Sequence, residues 1–277
     1  MPPTATRLLS YFRNSSSLPG LAAADDGKTY VVKWNGSGEG VQALTTDLVC
    51  LALAGHSGLP VPVATPISIT EDLAQQTMDP DLSELISRSH GLGLGVEYLP
   101  KVRRFTAEHA AQFPEQTRRR IYLFDVLFLN IDRSVNNPNL LLSDSSPYCI
   151  DFASSLTVKS ILDDREVTEA PFIPLLRHHP FYETSPPADS LDLTTAADNL
   201  EDILASIPDE WLDTPKTRTR LHSSLDRLLP KAQEVLTGRL ALVDAVVPES
   251  EEEWNRRTRA NRDTFEAAVA ALRKKLD

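Results

Sequence analysis

Two polar residues, Asp132 and Asn137, lie five positions apart in a stretch that separates a predicted helix from a predicted strand. A third, Asp151, follows the apolar Ile150 and precedes Phe152. Carboxylates can accept protons from a reacting hydroxyl, and carboxylate and amide oxygens are suitable ligands for Mg²⁺. Asp and Asn in loops also cap helices and form turns, so one such pair alone carries no weight. The order of these residues, with Asp151 after a short predicted hairpin, favours a chemical site.

A lysine upstream of these residues, Lys33, adds to the pattern. It lies in the run at residues 28–34, whose β-branched and aromatic residues predict a strand. In protein kinases a strand lysine holds the α- and β-phosphates of ATP and a loop aspartate handles the acceptor hydroxyl. An asparagine and an aspartate before phenylalanine hold magnesium. Lys33, Asp132, Asn137 and Asp151 occur in this order, which favours phosphoryl transfer over a purely structural loop.

Several short pieces of the chain, in order, resemble the HipA-like kinase family, distant relatives of the HipA toxin kinase and of the phosphatidylinositol kinases. They run from about residue 10 to residue 160, with a weaker resemblance at residues 206–211. The stretch 132–141 is the specific part. The matching pieces are residues 30–33, 58–62, 96–100, 124–127, 130–133, 137–141 and 150–152.

The resemblance implies an α+β, two-lobed protein-kinase-like fold. A β-rich N-lobe would span residues 1–96, a hinge residues 97–100, and a mostly helical C-lobe residues 101–277. The residues themselves indicate the same division, because strand-like runs dominate before Pro100 and helical periodicity follows it.

The resemblance also assigns roles to individual residues. Lys33 would bind the nucleotide phosphates, and Asp132 would be the catalytic aspartate. Asn137 and Asp151 would be the magnesium ligands. The backbone of the hinge residues would bond the adenine edge; these residues are Glu97, Tyr98 and Leu99.

Two positions depart from the family pattern. The helix residue that pairs with the lysine is usually Glu, and here we expect Asp47 in that role, with Glu39 as the alternative. The loop that covers the nucleotide is usually rich in glycine, whereas residues 14–17 read Asn-Ser-Ser-Ser. The hydroxyls of Ser15, Ser16 and Ser17 can bond phosphate oxygens in place of backbone amides. Alternatively, one of these serines is a site of autophosphorylation that weakens nucleotide binding by charge repulsion.

The elements that would position these residues follow from turn signals and apolar spacing. A strand at residues 28–34 follows the turn 25–27 and pairs with residues 18–24. We predict a buried helix from residue 45 to 56, an extended segment at 59–63, helix or loop at 71–90, and a strand at 93–99. A helix at 115–130 and strands at 140–142 and 148–150 surround the polar loop. An irregular, proline-rich stretch at 164–192 precedes helices at 194–207, 215–247 and 250–276.

Composition limits the function classes. The 277 residues include 28 Lys and Arg against 39 Asp and Glu, a formal charge of −11, which argues against a general nucleic-acid binder. Two cysteines give no disulfide framework, and no apolar run reaches the ~20 residues of a spanning helix, so we expect a cytoplasmic protein without membrane insertion. The histidines show no zinc-binding spacing, and we expect His178 and His179 in a surface loop.

These features together predict a HipA-like kinase that uses ATP and Mg²⁺ to phosphorylate a hydroxyl. The resemblance implies that the hydroxyl belongs to Ser or Thr of a protein substrate. Two alternatives stay open: a pseudokinase that binds nucleotide or a partner without turnover, and a kinase of lipids or small molecules. A cluster of basic residues is either a solvated helix face or a dock for an acidic substrate or partner. Its members are Lys101, Arg103, Arg104, Arg118, Arg119 and Arg120.

Overall fold

The computed structural model describes residues 1–13, 15, 17–38, 40–143, 147–166 and 168–245. The chain divides into two compact units, Met1–Val243 and Asp244–Asp277. The helix predicted at 250–276 lies outside the described residues.

The first hundred residues form a five-stranded antiparallel sheet. Its strands are β1 (Ala5–Tyr11), β2 (Gly20–Ala24), β3 (Thr29–Lys33), β4 (Ala64–Ile69) and β5 (Gly91–Glu97), in the order β1-β2-β3-β5-β4. An isolated bridge between Thr4 and Ser68 brings the two outer strands together at one end. Strand β5 approaches β3 closely at Gly93, where an added Cβ would lie 2.7 Å from the Lys33 carbonyl oxygen. This close approach leaves no room for a side chain at Gly93, where an added Cβ would also lie 2.5 Å from Ile69 Cδ1.

Helix α1 (Gly40–His56) follows β3 and is buried on nearly all sides. Its polar residues Thr45 and Thr46 can be buried at little cost, because their hydroxyls donate hydrogen bonds to the carbonyl oxygens of Val41 and Gln42. A helix that is buried all round belongs to the interior of its unit. Helix α1 therefore holds Asp47, which is fully buried, at a fixed depth in the protein.

The second half of the unit is mainly helical. The first hundred residues also contain α2 (Pro80–Arg88), and the helices of the second half are α3 (Glu115–Phe128), α4 (Leu156–Leu162), α5 (Thr194–Asp198), α6 (Leu200–Ala205), α7 (Pro215–Leu228) and α8 (Ala232–Ala245). A small antiparallel sheet joins β6 (Arg103–Arg104), β7 (Leu140–Leu142) and β8 (Pro147–Cys149). The helix predicted over 215–247 is interrupted by a 3-10 turn at Leu229–Lys231, because Pro230 cannot donate a backbone hydrogen bond.

Two apolar clusters form the core of the described residues. The smaller lies against the five-stranded sheet and includes Trp34, Ile67 and Leu82. The larger one joins α1 and β5 to the helices of the second half. The first hundred residues are therefore rich in strands and the rest of the unit is mainly helical, with α1 packed into the helical part. No helix of the described residues combines the length and the apolar character that crossing a membrane requires.

Candidate active site

A cluster of charges, buried on its Asp47 side, centres on Lys33, the last residue of β3. Its Nζ lies 2.7 Å from Asp47 Oδ2 and 2.9 Å from Asp151 Oδ1. Asp47 comes from α1, and Asp151 follows β8. One ammonium group therefore joins β3, α1 and the segment after β8. Asp151 is 118 residues from Lys33 in the sequence, so the tertiary fold brings these two together.

The environment of the cluster shifts the pKa of each of its members. Burial by itself lowers the pKa of Lys33, but the two carboxylates outweigh it and the net pKa is raised. Burial raises the pKa of Asp47, and the ammonium only partly opposes this. Burial also tends to raise the pKa of Asp151, whose side chain is 42% exposed, but Lys33 reverses the direction and the pKa is lowered. Lys33 is therefore cationic at neutral pH, and Asp151 is the readily ionised carboxylate.

The second oxygen of Asp47 accepts a hydrogen bond from the backbone N–H of Phe152, at 2.7 Å. Phe152 directly follows Asp151, whose φ of +59° lies in the left-handed region that side chains rarely adopt. A non-glycine residue in this region costs about 1 kcal/mol or more, and such positions cluster at functional sites. The bond from Asp47 thus helps to hold the Asp151 carboxylate against Lys33.

The loop between α3 and β7 carries Asp132. Its Oδ2 accepts hydrogen bonds from Asn137 Nδ2 at 2.9 Å and from Asn139 Nδ2 at 3.0 Å. Among the described residues, no donor contacts its Oδ1. Two amides therefore fix the orientation of this half-buried carboxylate and leave one oxygen available to a reactant.

Arg133 holds this loop in place from the protein interior. Its side chain is fully buried, and its guanidinium lies 4.7 Å from the ring centroid of Phe152 and 2.5 Å from the Asp125 carboxylate. The guanidinium also donates to three backbone carbonyls, those of Pro138, Asn139 and Ile150. One side chain thus ties the Asp132 loop to the residues that precede and follow Asp151.

The prediction that His179 lies in a surface loop is wrong. His179 is buried, and its Nε2 lies 3.0 Å from Asp125 Oδ2, while its Nδ1 accepts a hydrogen bond from the Phe181 N–H. Because Nδ1 is an acceptor, Nε2 carries the proton and the ring is neutral. Burial lowers the pKa of His179. Burial tends to raise the pKa of Asp125, but Arg133 and His179 reverse this and the pKa is lowered.

The predicted hinge begins at Glu97, the last residue of β5, and continues with Tyr98 and Leu99. The Glu97 N–H donates to Val63 and the Tyr98 N–H to Thr29, at 2.8 Å and 2.9 Å. The Leu99 N–H has no hydrogen-bond acceptor among the described residues. Of the three amides, only that of Leu99 is thus free to bond an adenine edge.

The serine segment forms the connection between β1 and β2. Ser15 Oγ and Ser17 Oγ are 3.2 Å apart, and the indole N–H of Trp34 donates to the Leu18 carbonyl at 2.7 Å, which fixes the end of the connection. Ser16 lies outside the described residues, as does Glu39, the alternative partner for Lys33.

The oxygens of Asp151 and Asn137 are of the kind that a hard divalent cation prefers. Among the described residues, no three His, Cys, Asp or Glu side chains are grouped as a metal site. Mg²⁺, however, needs only one or two protein carboxylates when substrate phosphates and water supply the other oxygens. The partly exposed carboxylate of Asp151 and the amide oxygen of the exposed Asn137 fit that requirement.

Three residues of this site escaped the sequence analysis as functional residues: Asn139, Arg133 and His179. Asn139 lies seven residues after Asp132 in the same polar loop, so its position was a usable signal. Arg133 adjoins Asp132 but could equally have been a surface charge. His179 carried no signal, because its partner Asp125 lies on another element.

Comparisons with known proteins give a family and a fold. The family model described as HipA-like kinase matches residues 6–238. The crystal structure of CtkA, a Helicobacter pylori proinflammatory kinase, aligns with a TM-score of 0.50 at 12% identity, covering 86% of this chain and 99% of that one. This likeness shows a kinase fold.

Two structures of the Golgi casein kinase align less well. The first has a TM-score of 0.44 at 13% identity, covering 88% of this chain and 74% of that one. The second, with Mn/ADP bound, has a TM-score of 0.41 at 14% identity and coverages of 86% and 74%. No curated protein sequence matches the chain.

Proposed function

This chain belongs to the HipA-like kinase family, and on that premise we propose that it transfers the γ-phosphoryl group of ATP to a hydroxyl group, with Mg²⁺ as the metal. The observation that carries the proposal is the contact of Lys33 with both Asp47 and Asp151, together with Arg133, which ties the Asp132 loop to the residue before Asp151. Phosphoryl transfer depends mainly on positioning and on charge stabilisation, and this cluster supplies both.

Lys33 is the residue that would bind the phosphates of ATP. Its ammonium is held at the end of β3 by two carboxylates and stays protonated at neutral pH, so it can attract and orient negative oxygens. Asp47 keeps the ammonium in place from the buried side. We expect the Leu99 N–H to bond the adenine edge, with the backbone of Glu97 and Tyr98 shaping the same surface.

Asp132 is the residue that would receive the proton of the acceptor hydroxyl. As the acceptor oxygen bonds to the γ-phosphorus, the bond from that phosphorus to the β,γ-bridging oxygen breaks and ADP leaves. The proton of the hydroxyl passes to Asp132 Oδ1, the oxygen that has no donor among the described residues. Asn137 and Asn139 hold the other oxygen and so aim Oδ1 at the acceptor.

Asp151 and Asn137 are the residues that would hold Mg²⁺. When bound, the ion neutralises charge on the phosphates and orients them for transfer. The chain's own contribution is to keep the Asp151 carboxylate ionised through Lys33 and to fix its position through the Asp47–Phe152 bond.

The finer parts of the proposal concern the acceptor. We infer that it is a Ser or Thr side chain of a protein, as the family resemblance implies. The serines at positions 15, 16 and 17 are the candidates for autophosphorylation, because they come just before the strand pair β2–β3 that leads to Lys33.

The experiment is incubation of the purified chain with γ-labelled ATP and Mg²⁺, alone and with a cell lysate. Label in the chain or in a lysate protein supports the proposal, and peptide mapping of residues 14–28 tests the serines. The control is Lys33→Met, which removes the ammonium and should remove the label. Binding of ATP without any transfer would instead identify a nucleotide-binding module that lacks turnover.

A further inference from the structure

Three exposed cations lie between the hinge and α3: Lys101, Arg103 and Arg104, here called the basic strip. Arg103 and Arg104 form β6, the outer strand of the small sheet β6-β7-β8. Among the described residues, no strand pairs with the other edge of β6. The strip therefore offers both positive charge and an open strand edge.

The position of the strip is fixed relative to the proposed catalytic loop. Arg103 pairs with Leu142 and Arg104 with Leu141, and the N–H of Phe105 donates to the Leu140 carbonyl at 3.2 Å. Phe105 is only 1% exposed. Its ring packs against those of Phe113 and Phe181, at centroid distances of 6.0 Å and 5.5 Å. The strip is thus the exposed end of a firmly anchored segment.

The strip also lies near Asp132. Leu141, the partner of Arg104, is two residues beyond Asn139, whose side chain bonds Asp132. With about 3.3 Å per strand residue and about 5 Å between paired strands, the Cα atoms of Arg104 and Asn139 are within roughly 12 Å. An extended peptide with its hydroxyl at Asp132 would cover that distance in about four residues.

Two of the other basic residues of this region already have partners, and a third, Arg118, is only half-buried and its Nε has no hydrogen-bond partner among the described residues. Arg119 pairs with Glu115 and Glu183, and Arg120 donates to the Ser57 carbonyl. No carboxylate among the described residues pairs with the basic strip, although Glu108 is exposed a few residues further along the chain. On a chain with a formal charge of −11, an acidic ligand is repelled on average, so a local positive surface decides where it can bind.

We propose that the basic strip binds acidic residues that flank the acceptor hydroxyl, so that this kinase selects an extended acidic segment of a protein. The inference rests on the proposed function and narrows its substrate class. Charged residues on an edge strand also prevent edge-to-edge aggregation, and positive or negative charges serve that role equally well. Reversing the charge therefore separates the two roles.

The test measures binding of fluorescent peptides to the full chain without ATP, so that it does not depend on turnover. Three peptides of equal length carry Ser in the centre, flanked by Glu, Gln or Lys. The variant is Arg103→Glu with Arg104→Glu. The control is Lys216→Glu with Lys231→Glu, which makes the same change in net charge at exposed positions of α7 and of the turn after it.

We expect the wild type and the control to bind the Glu peptide best, with an affinity that falls as salt is added. The strip variant should lose roughly tenfold in affinity for the Glu peptide and should prefer the Lys peptide. A positional peptide library with labelled ATP should then show acidic selection in the wild type and basic selection in the variant.

Equal affinity for the Glu and Gln peptides, no detectable binding, or an equal loss in the control would overturn the inference. So would strip-dependent binding of phosphatidylserine vesicles or of an oligonucleotide as tight as that of the Glu peptide, because it would indicate a general anion surface. If peptide selection is seen but no phosphate is transferred to any peptide, the proposed function fails while the charge preference stands.

Discussion

The carboxylate of Asp47 accepts a 2.7 Å hydrogen bond from the backbone N–H of Phe152, across 105 residues of sequence. The other oxygen of the same carboxylate faces Lys33. Because Asp47 lies on the buried helix α1, its contacts with Phe152 and Lys33 are part of the protein core. They do not depend on a bound ligand or on a partner protein. We therefore expect the charge cluster of Lys33, Asp47 and Asp151 to be assembled in the isolated protein.

Asp47→Asn and Asp47→Ala separate the two tasks of this carboxylate. Both variants remove the charge beside Lys33, but Asn keeps an oxygen for the Phe152 N–H, so we expect it to lower the free energy of unfolding less than Ala does. Ala leaves a buried amide without an acceptor, which costs about 1–3 kcal/mol. Urea denaturation measures both, and equal losses in the two variants would show that the hydrogen bond to Phe152 does not matter.

Asp151→Ala tests the proposed metal ligand. We expect ATP binding in the presence of Mg²⁺ to weaken more than binding without it, because Lys33 keeps Asp47 as a partner while the cation loses a carboxylate. Calorimetry with and without Mg²⁺ compares the two conditions. Asp189→Ala, which removes an exposed carboxylate elsewhere, is the control. An equal loss in both conditions would argue against a metal role for Asp151.

Local sequence predicted much of the fold and the order of the site residues. The β-branched run at 28–34 became β3, and the apolar spacing at 115–130 became α3, since both signals act over a few residues. Strands β1 and β4 were missed for physical reasons. Strand β1 is half exposed at a sheet edge and lacks a clear apolar alternation, and β4 contains Pro66, which is disfavoured inside sheets.

The contacts that orient the site were less accessible to sequence analysis. Loop spacing brought Asp132 and Asn137 to attention, but the burial of His179 against Asp125 depends on the packing of an irregular, proline-rich segment against α3. Local propensity carries no information about such a contact. The same holds for Arg133, whose carbonyl partners lie at the end of the Asp132 loop and directly before Asp151.

The buried His179 predicts a pH dependence of stability. Its pKa is lowered in the folded state, so below about pH 6.5 the unfolded chain takes up a proton that the folded chain does not. The free energy of unfolding should therefore fall as pH decreases from about 6.5, by up to about 1.4 kcal/mol per pH unit from this group. Arg133 and the ionised Asp125, which face the ring, keep their charges over this range.

His179→Gln isolates that contribution, because its amide can still donate to Asp125 but does not titrate. Denaturation at several pH values from 7.5 to 5 compares the two proteins. We expect the wild type to lose more stability than the variant as the pH falls. Parallel curves would mean that His179 titrates alike in the folded and unfolded chains.

Asn139→Gly tests the positioning of Asp132. Gly tolerates the left-handed backbone at this position, where φ is +47°, so the loop should keep its shape while Asp132 loses one of its two amide donors. We expect kcat to fall about tenfold, which corresponds to about 1.4 kcal/mol, with little change in the KM for ATP. Asn137→Ala should in addition raise the Mg²⁺ concentration needed for half-maximal rate. A changed KM with unchanged kcat in Asn139→Gly would place Asn139 in nucleotide binding.

The most direct test of the account is the rate of γ-phosphoryl transfer by Asp132→Asn at saturating ATP and Mg²⁺. Nucleotide binding and thermal unfolding are measured on the same preparation. Asp132 lies at a half-buried loop position, so we expect the variant to fold and to bind ATP nearly as well as the wild type. Its transfer rate should be at least about 100-fold lower, because an amide cannot accept the hydroxyl proton. A variant that binds ATP normally and keeps more than about a tenth of the wild-type rate would contradict the assignment of Asp132 as the group that receives the proton.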